Sequence, residues 1–69
     1  MRFRYAQEVD CTALGRRVSI RYRTPDGKAS DVVGVLEQCD EQRFAVRNRR
    51  AQLVTVARSD VVASRIVAG

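Results

Sequence analysis

Leu14-Gly15-Arg16-Arg17-Val18-Ser19-Ile20-Arg21-Tyr22-Arg23, then Thr24-Pro25-Asp26-Gly27-Lys28, then Ala29-Ser30-Asp31-Val32-Val33-Gly34-Val35-Leu36-Glu37-Gln38-Cys39, reads as two β-strands joined by a tight turn. Pro25 presets the backbone for the second position of a type I turn and Asp26 suits the third. Gly27 can take the left-handed conformation that follows. That combination makes a hairpin with a glycine bulge. With Thr24 opposite Lys28, Tyr22 faces Ser30, Arg21 faces Asp31 and Ile20 faces Val32. Opposite charges then meet on one face and apolar groups on the other. A one-residue slip would set Ile20 against Asp31, so the register is well specified.

Working outward, the second strand carries Val32-Val33-Gly34-Val35-Leu36, apolar on both faces. A glycine in the middle of such a run suggests a bend or a bulge, which lets one long strand serve two sheets. Asp40-Glu41-Gln42 is a short polar turn. Residues 43–47 alternate, with Phe44 and Val46 inward, and Asn48-Arg49-Arg50-Ala51 turns the chain without a glycine. A three-residue loop there sets Val54 and Val56 beside Val46 and Phe44, whereas a two-residue loop sets Leu53 and Thr55 there. The first buries more apolar surface and is preferred. Arg58-Ser59-Asp60 reads as a single 3-10 turn and residues 61–67 as the closing strand.

The N-terminal part is less regular. Arg2-Phe3-Arg4-Tyr5 alternates as a short strand or a tail packing one ring on the domain, and residues 6–14 suit about two helical turns, stopped by Gly15, or an ordered coil. The expected fold is therefore all-β: a small five-stranded SH3-like barrel over residues 14–69. Residues 1–13 form an extension with a short helix or coil, and a 3-10 turn precedes the last strand. The expected core includes Val18, Ile20, Val32, Leu36, Phe44, Val46, Val54, Val56 and Ile66. Closure of the barrel is expected to remove the exposed edges of an open, valine-rich sheet.

Sixty-nine residues make one domain near the lower size limit for a self-sufficient core. No apolar run approaches the roughly 18–20 residues of a membrane span, and the N-terminus lacks the apolar segment of a secretory signal, so a soluble, cytoplasmic protein is expected. In such a reducing compartment Cys11 and Cys39 are expected as free thiols, with a disulfide between them as the alternative.

Chemistry is sparse. With no histidine, the commonest acid–base residue is missing. Asp40 and Glu41 are neighbours in a turn rather than an opposed pair, and no glycine-rich phosphate loop occurs. The domain is expected to be no enzyme, to carry no cofactor and to hold no metal. All but one of the 13 basic residues are arginine, and the net charge is +5. Arg17, Arg21 and Arg23 share the outer face of the first hairpin, while Arg47, Arg49 and Arg50 gather at the second turn. From these, Arg21, Arg23, Arg47, Arg49 and Arg50 are the candidate contacts for an anionic partner or nucleic acid. Asp31 is expected to neutralise Arg21. Single-strand binders also present aromatic platforms, and here Tyr22 and Phe44 fall inward, leaving Phe3 and Tyr5.

Leu14-Gly15-Arg16-Arg17-Val18, Arg21-Tyr22-Arg23, Pro25-Asp26-Gly27, Asp31 to Leu36, Val54-Thr55-Val56 and Val61-Val62-Ala63 together form a pattern over residues 14–67. It resembles the SH3-like barrel at the N-terminus of certain actinobacterial GNAT-family acetyltransferases. That resemblance implies a non-catalytic interaction or accessory module whose partner is a protein or a fused acetyltransferase domain. The second turn, Asn48-Arg49-Arg50-Ala51, departs from the Asp-Gly type of those relatives. A second similarity is to Sm-like RNA-binding barrels. Leu14-Gly15, Val18, Gly27, Gly34-Val35-Leu36 and Asp40 fall at spacings like those of the first Sm motif. The asparagine that contacts bases in that motif is not found near Gln42 or Arg43, and the Arg-Gly dipeptide of the second motif is absent. This similarity implies the alternative function, a nucleic-acid-binding barrel.

Overall fold

Strand alternation and turn chemistry agree along the first hairpin, and the backbone follows both. The computed structural model describes residues 7–67. Strands β1 (Arg17–Arg23) and β2 (Ala29–Cys39) pair antiparallel, with Ile20 opposite Val32, Arg21 opposite Asp31 and Tyr22 opposite Ser30. At the turn, the Thr24 N–H donates to the Lys28 carbonyl at 2.8 Å and the Gly27 N–H to the Thr24 carbonyl at 2.9 Å. Gly27 takes a φ of 84°, in the region where a side chain is strained. The Thr24 hydroxyl hydrogen-bonds the Asp26 carboxylate, and that bond holds the Asp26 carboxyl below its ordinary range.

Strands β3 (Arg43–Asn48), β4 (Leu53–Ala57) and β5 (Val61–Ile66) complete one antiparallel sheet in the order β4-β3-β2-β1-β5. Two 3-10 turns, Cys11–Ala13 and Arg58–Asp60, punctuate it. Val18, Ile20, Val32, Leu36, Phe44, Val46 and Val56 are buried in one cluster, with Val54 and Ile66 packed against it half-buried. Every strand contributes to that cluster, so the sheet wraps around it as a small barrel. Val9, Ala13 and Ala45 join the buried set and lay outside the expected core. Val9 and Ala13 belong to the N-terminal segment, whose position no strand periodicity specifies.

The second hairpin has the three-residue loop that puts Val56 opposite Phe44 and Val54 opposite Val46. It repeats the geometry of the first turn without its glycine. The Asn48 N–H donates to the Gln52 carbonyl at 3.0 Å and the Ala51 N–H to the Asn48 carbonyl at 2.9 Å. Ala51 itself holds the left-handed position at a φ of 63°. The Asn48 side-chain oxygen accepts the Arg50 and Gln52 N–H groups at 2.9 and 3.0 Å, bonds that hold the alanine there.

Four expectations need correction or refinement. Gly34 is required by a close approach. A β-carbon there would overlap the Arg47 carbonyl oxygen and lie 2.7 Å from its carbon. The ladder's register shift lies further along β2, between Leu36 and Gln38.

Of the two alternatives for the N-terminal segment, the ordered coil is the one found, with a single 3-10 turn at Cys11–Ala13 in place of two helical turns. Residues 7–9 are drawn out along β5: the Glu8 N–H donates to the Ser64 carbonyl at 2.9 Å and the Val9 N–H to the Ser64 hydroxyl at 3.2 Å. Asp10, at φ −137° and ψ −171°, is extended in the middle of the span a helix would need. The expected strand or tail over Arg2 to Tyr5 lies outside the described residues.

Nor do the cysteines stay free. Cys11 and Cys39 form a disulfide with their Cα atoms 5.4 Å apart. The tether to Ser64 and the Asp10 cap, whose carboxylate accepts the Thr12 N–H at 2.9 Å, deliver Cys11 to the end of β2. The alternative to free thiols is thus the state found, because the pairing is set by where the N-terminal segment docks.

Finally, hydrogen bonds do not close the sheet. β4 and β5 are its two ends, and among the described residues no ladder joins them. The turn Arg58–Asp60 connects the two strands along the chain. No helix among the described residues is long and apolar enough to cross a membrane.

Two stability outcomes follow from these geometries. Ala51→Gly relieves the left-handed alanine and is expected to stabilise the chain by about 1 kcal/mol, a rise in Tm of roughly 5 °C. Reduction of the disulfide, or Cys11→Ser with Cys39→Ser, releases a cross-link spanning a sequence separation of 28. The expected cost is about 3–4 kcal/mol in chemical denaturation.

Candidate interaction surface

Side chains on the outer face of β1, β2 and β3 follow from alternation: those beside the core residues point outward. One row across the sheet runs Arg17, Val35, Arg47, Leu53. In the next row Ser19 stands opposite Val33, and beyond it Arg21 stands opposite Asp31. Val33, Val35 and Leu53 are 47, 40 and 38% exposed, an unusual concentration of apolar surface on so small a sheet. The expectation that the second strand is apolar on both faces therefore holds, and its outer face is left bare.

The arginines divide by what holds them. Arg21 makes two parallel hydrogen bonds to Asp31, at 3.0 and 3.1 Å. Arg47 does the same with Glu37, at 3.2 and 3.0 Å, and also donates to the Ala51 carbonyl at 3.0 Å. Hydrogen bonds from Arg47 hold the Glu37 carboxyl below its usual range, and Glu37 raises Arg47 in turn. Arg58 stacks 4.7 Å over the Phe44 ring and donates to the Asp40 carbonyl at 2.8 Å. These three cations have structural occupations.

Arg49 and Arg50 differ. They sit exposed on the three-residue loop, and among the described residues neither side chain has an ion-pair partner. Together with Arg17, Val33, Asn48 and Gln52 they border an open cleft of about 490 Å³. Asp31 also borders this cleft while bound to Arg21.

Of the five candidate contacts, then, the structure brings Arg49 and Arg50 together at the cleft. Arg21 and Arg47 are engaged in bidentate ion pairs. Arg23 stands exposed at the opposite end of β1 from Arg17, about 20 Å away at the rise of an extended strand. Arg17 belongs to the cleft although it was not among the candidates. The alternation of β1 had already placed it outward, and what singles it out is its position beside the second loop.

This arrangement can hold carboxylates or phosphates by charge and apolar side chains by burial. Aromatic stacking has little to work with, since Phe44 is buried and Tyr22 half-buried, while Phe3 and Tyr5 lie outside the described residues. Among the described residues no group of three or more His, Cys, Asp or Glu side chains could hold a metal ion.

A family model described as the Rv0428c N-terminal Sm-like domain matches residues 12–65. No curated protein and no solved structure matches the chain.

The Glu37–Arg47 pair gives a pH outcome. A carboxyl with a depressed folded-state pKa stabilises above its ordinary value and loses that contribution as pH falls through the depressed value. In an NMR titration Glu37 is expected to titrate below an ordinary glutamate, and Arg47→Leu to return it to the ordinary range.

Proposed function

Because the chain belongs to the Rv0428c N-terminal Sm-like domain family, which matches residues 12–65, we propose that it works as a non-catalytic interaction module rather than as an enzyme. The observation that carries this reading is the bare apolar strip of Val33 and Val35 beside Arg17, Arg49 and Arg50. Protein interfaces combine desolvated apolar centres with arginine at the rim. A chain of net charge +5 favours an acidic partner. The family description calls the matched domain N-terminal in its namesake. That wording and the resemblance to the acetyltransferase-associated barrel support a particular partner, a domain that follows this one in the same polypeptide. We propose an acetyltransferase domain docked on the outer face of β1 to β3.

A second reading, an RNA-contacting barrel, is favoured by Arg49 and Arg50, two adjacent guanidinium groups free to take phosphates. The near absence of exposed aromatic rings among the described residues weighs against it.

Binding of the following domain, added in trans, is expected to shift the NMR signals of Val33 and Val35, and Val33→Asp to weaken it at least tenfold. Single-stranded RNA and DNA are expected not to bind at about 50 mM salt. Salt-sensitive binding of RNA that disappears in Arg49→Glu with Arg50→Glu would establish the second reading instead. Acetyl-CoA turnover by the chain alone would overturn both.

A further inference from the structure

The two ends of the sheet are treated differently. Along β5, residues 7 and 8 already occupy the outer edge: the Gln7 side chain donates to the Val62 carbonyl at 2.9 Å and the Glu8 N–H to the Ser64 carbonyl at 2.9 Å. The Ile66 N–H donates to the Glu8 carboxylate at 3.4 Å. Along β4 nothing comparable occurs among the described residues. The bond between Asn48 and Gln52 sets the alternation of the β3–β4 ladder, so Val54 and Val56 exchange hydrogen bonds with β3. The N–H and C=O groups of Leu53, Thr55 and Ala57 then point away from β3. Among the described residues none of them has a backbone partner.

Unpaired edges invite another strand, and proteins commonly blunt them with charge, proline or a bulge. Leu53-Val54-Thr55-Val56-Ala57 has no charge and no proline, and its ladder with β3 shows no register shift. The flanking cations are occupied, Arg47 by Glu37 and Arg58 by Phe44 and the Asp40 carbonyl.

We propose that β4 is a homodimer contact, in which β4 of one protomer pairs antiparallel with β4 of a second copy about a two-fold axis at Thr55. Leu53 of one protomer then meets Ala57 of its partner, Val54 meets Val56, and Thr55 meets Thr55. Leu then faces the smaller Ala, Val faces Val, and Thr–Thr is a favourable cross-strand pair. A second copy is the fitting occupant because the strand is its own complement, and because a chain of net charge +5 can approach itself most cheaply where it carries none. The covered β5 edge leaves β4 nothing to join head-to-tail, so the association closes at two. This contact lies on a sheet edge and does not depend on the interaction surface proposed above.

Analytical ultracentrifugation of the chain at about 100 µM is expected to show mostly dimer, as for a Kd in the micromolar range. Thr55→Pro removes only an outward N–H and is expected to give a folded monomer, as is Thr55→Lys, which sets like charges across the axis. Circular dichroism confirms that each variant is folded. Thr55→Cys is expected to form a covalent dimer under oxidised glutathione, its Cα atoms being about 5.5 Å apart in such a pair. Leu53→Cys is expected to stay uncrosslinked, since its copies lie about 14 Å apart along the strands. Amide exchange at Leu53, Thr55 and Ala57 is expected to slow as concentration rises. A monomer at 100 µM, a dimer unaffected by both folded Thr55 variants, or protection of these amides only when an unrelated extended peptide is added would overturn the proposal.

Discussion

Between β2 and β3 there is no room for a side chain at position 34. The Arg47 carbonyl and the Asn48 backbone occupy the space that a β-carbon would need, and this close crossing is what allows an eleven-residue strand to serve the whole sheet. β2 pairs with β1 along Ala29 to Val35 and with β3 along Gly34 to Cys39, so the two ladders overlap only around the glycine. The barrel's curvature follows from that overlap. So does its core, because Val32 and Leu36, on either side of Gly34, are brought to the same buried cluster.

The N-terminal segment completes what five strands leave open. Val9 and Ala13 are buried with the core, and Ser64, the one buried polar side chain among the described residues, is satisfied by the Val9 N–H. The disulfide to Cys39 then ties this segment to the far end of β2. A domain this small buries a modest fraction of its surface, and a covalent staple that restricts the unfolded chain suits it. One consequence is the asymmetry of the sheet: β5 is covered by residues 7 and 8, and β4 keeps its outward amides.

Electrostatics sorts the surface. A formal charge of +5 suggests a uniformly basic exterior, yet three of the arginines are tied down by Asp31, Glu37 and the Phe44 ring. Exposed pairs of this kind contribute little to stability. Their larger effect is to decide where charge remains available, and that is the second loop and the start of β1. Apolar Val33 and Val35 lie between those places, so bare apolar surface and available charge meet on one face of the sheet.

The hairpin registers, the turn types, the 3-10 turn at Arg58–Asp60 and seven of the core residues were legible in the chain itself. Those features are set by neighbours within a strand or across one turn, where side-chain alternation and the conformational limits of Pro25, Asp26 and Gly27 act directly. Also legible was the Arg21–Asp31 pair, because it sits three rungs from the Thr24–Lys28 pair that closes that turn. The partners of Val9 and Arg47 were not, nor was the choice between thiols and a disulfide at Cys11 and Cys39, since each depends on segments that meet only after the sheet has curled. Tertiary structure alone decided that Gly34 marks a crossing, that the thiols pair, and that Arg49 and Arg50 keep their charge free. The physical reason is that a sequence specifies local backbone preference and strand register, while close approach and neutralisation depend on distances across the folded sheet.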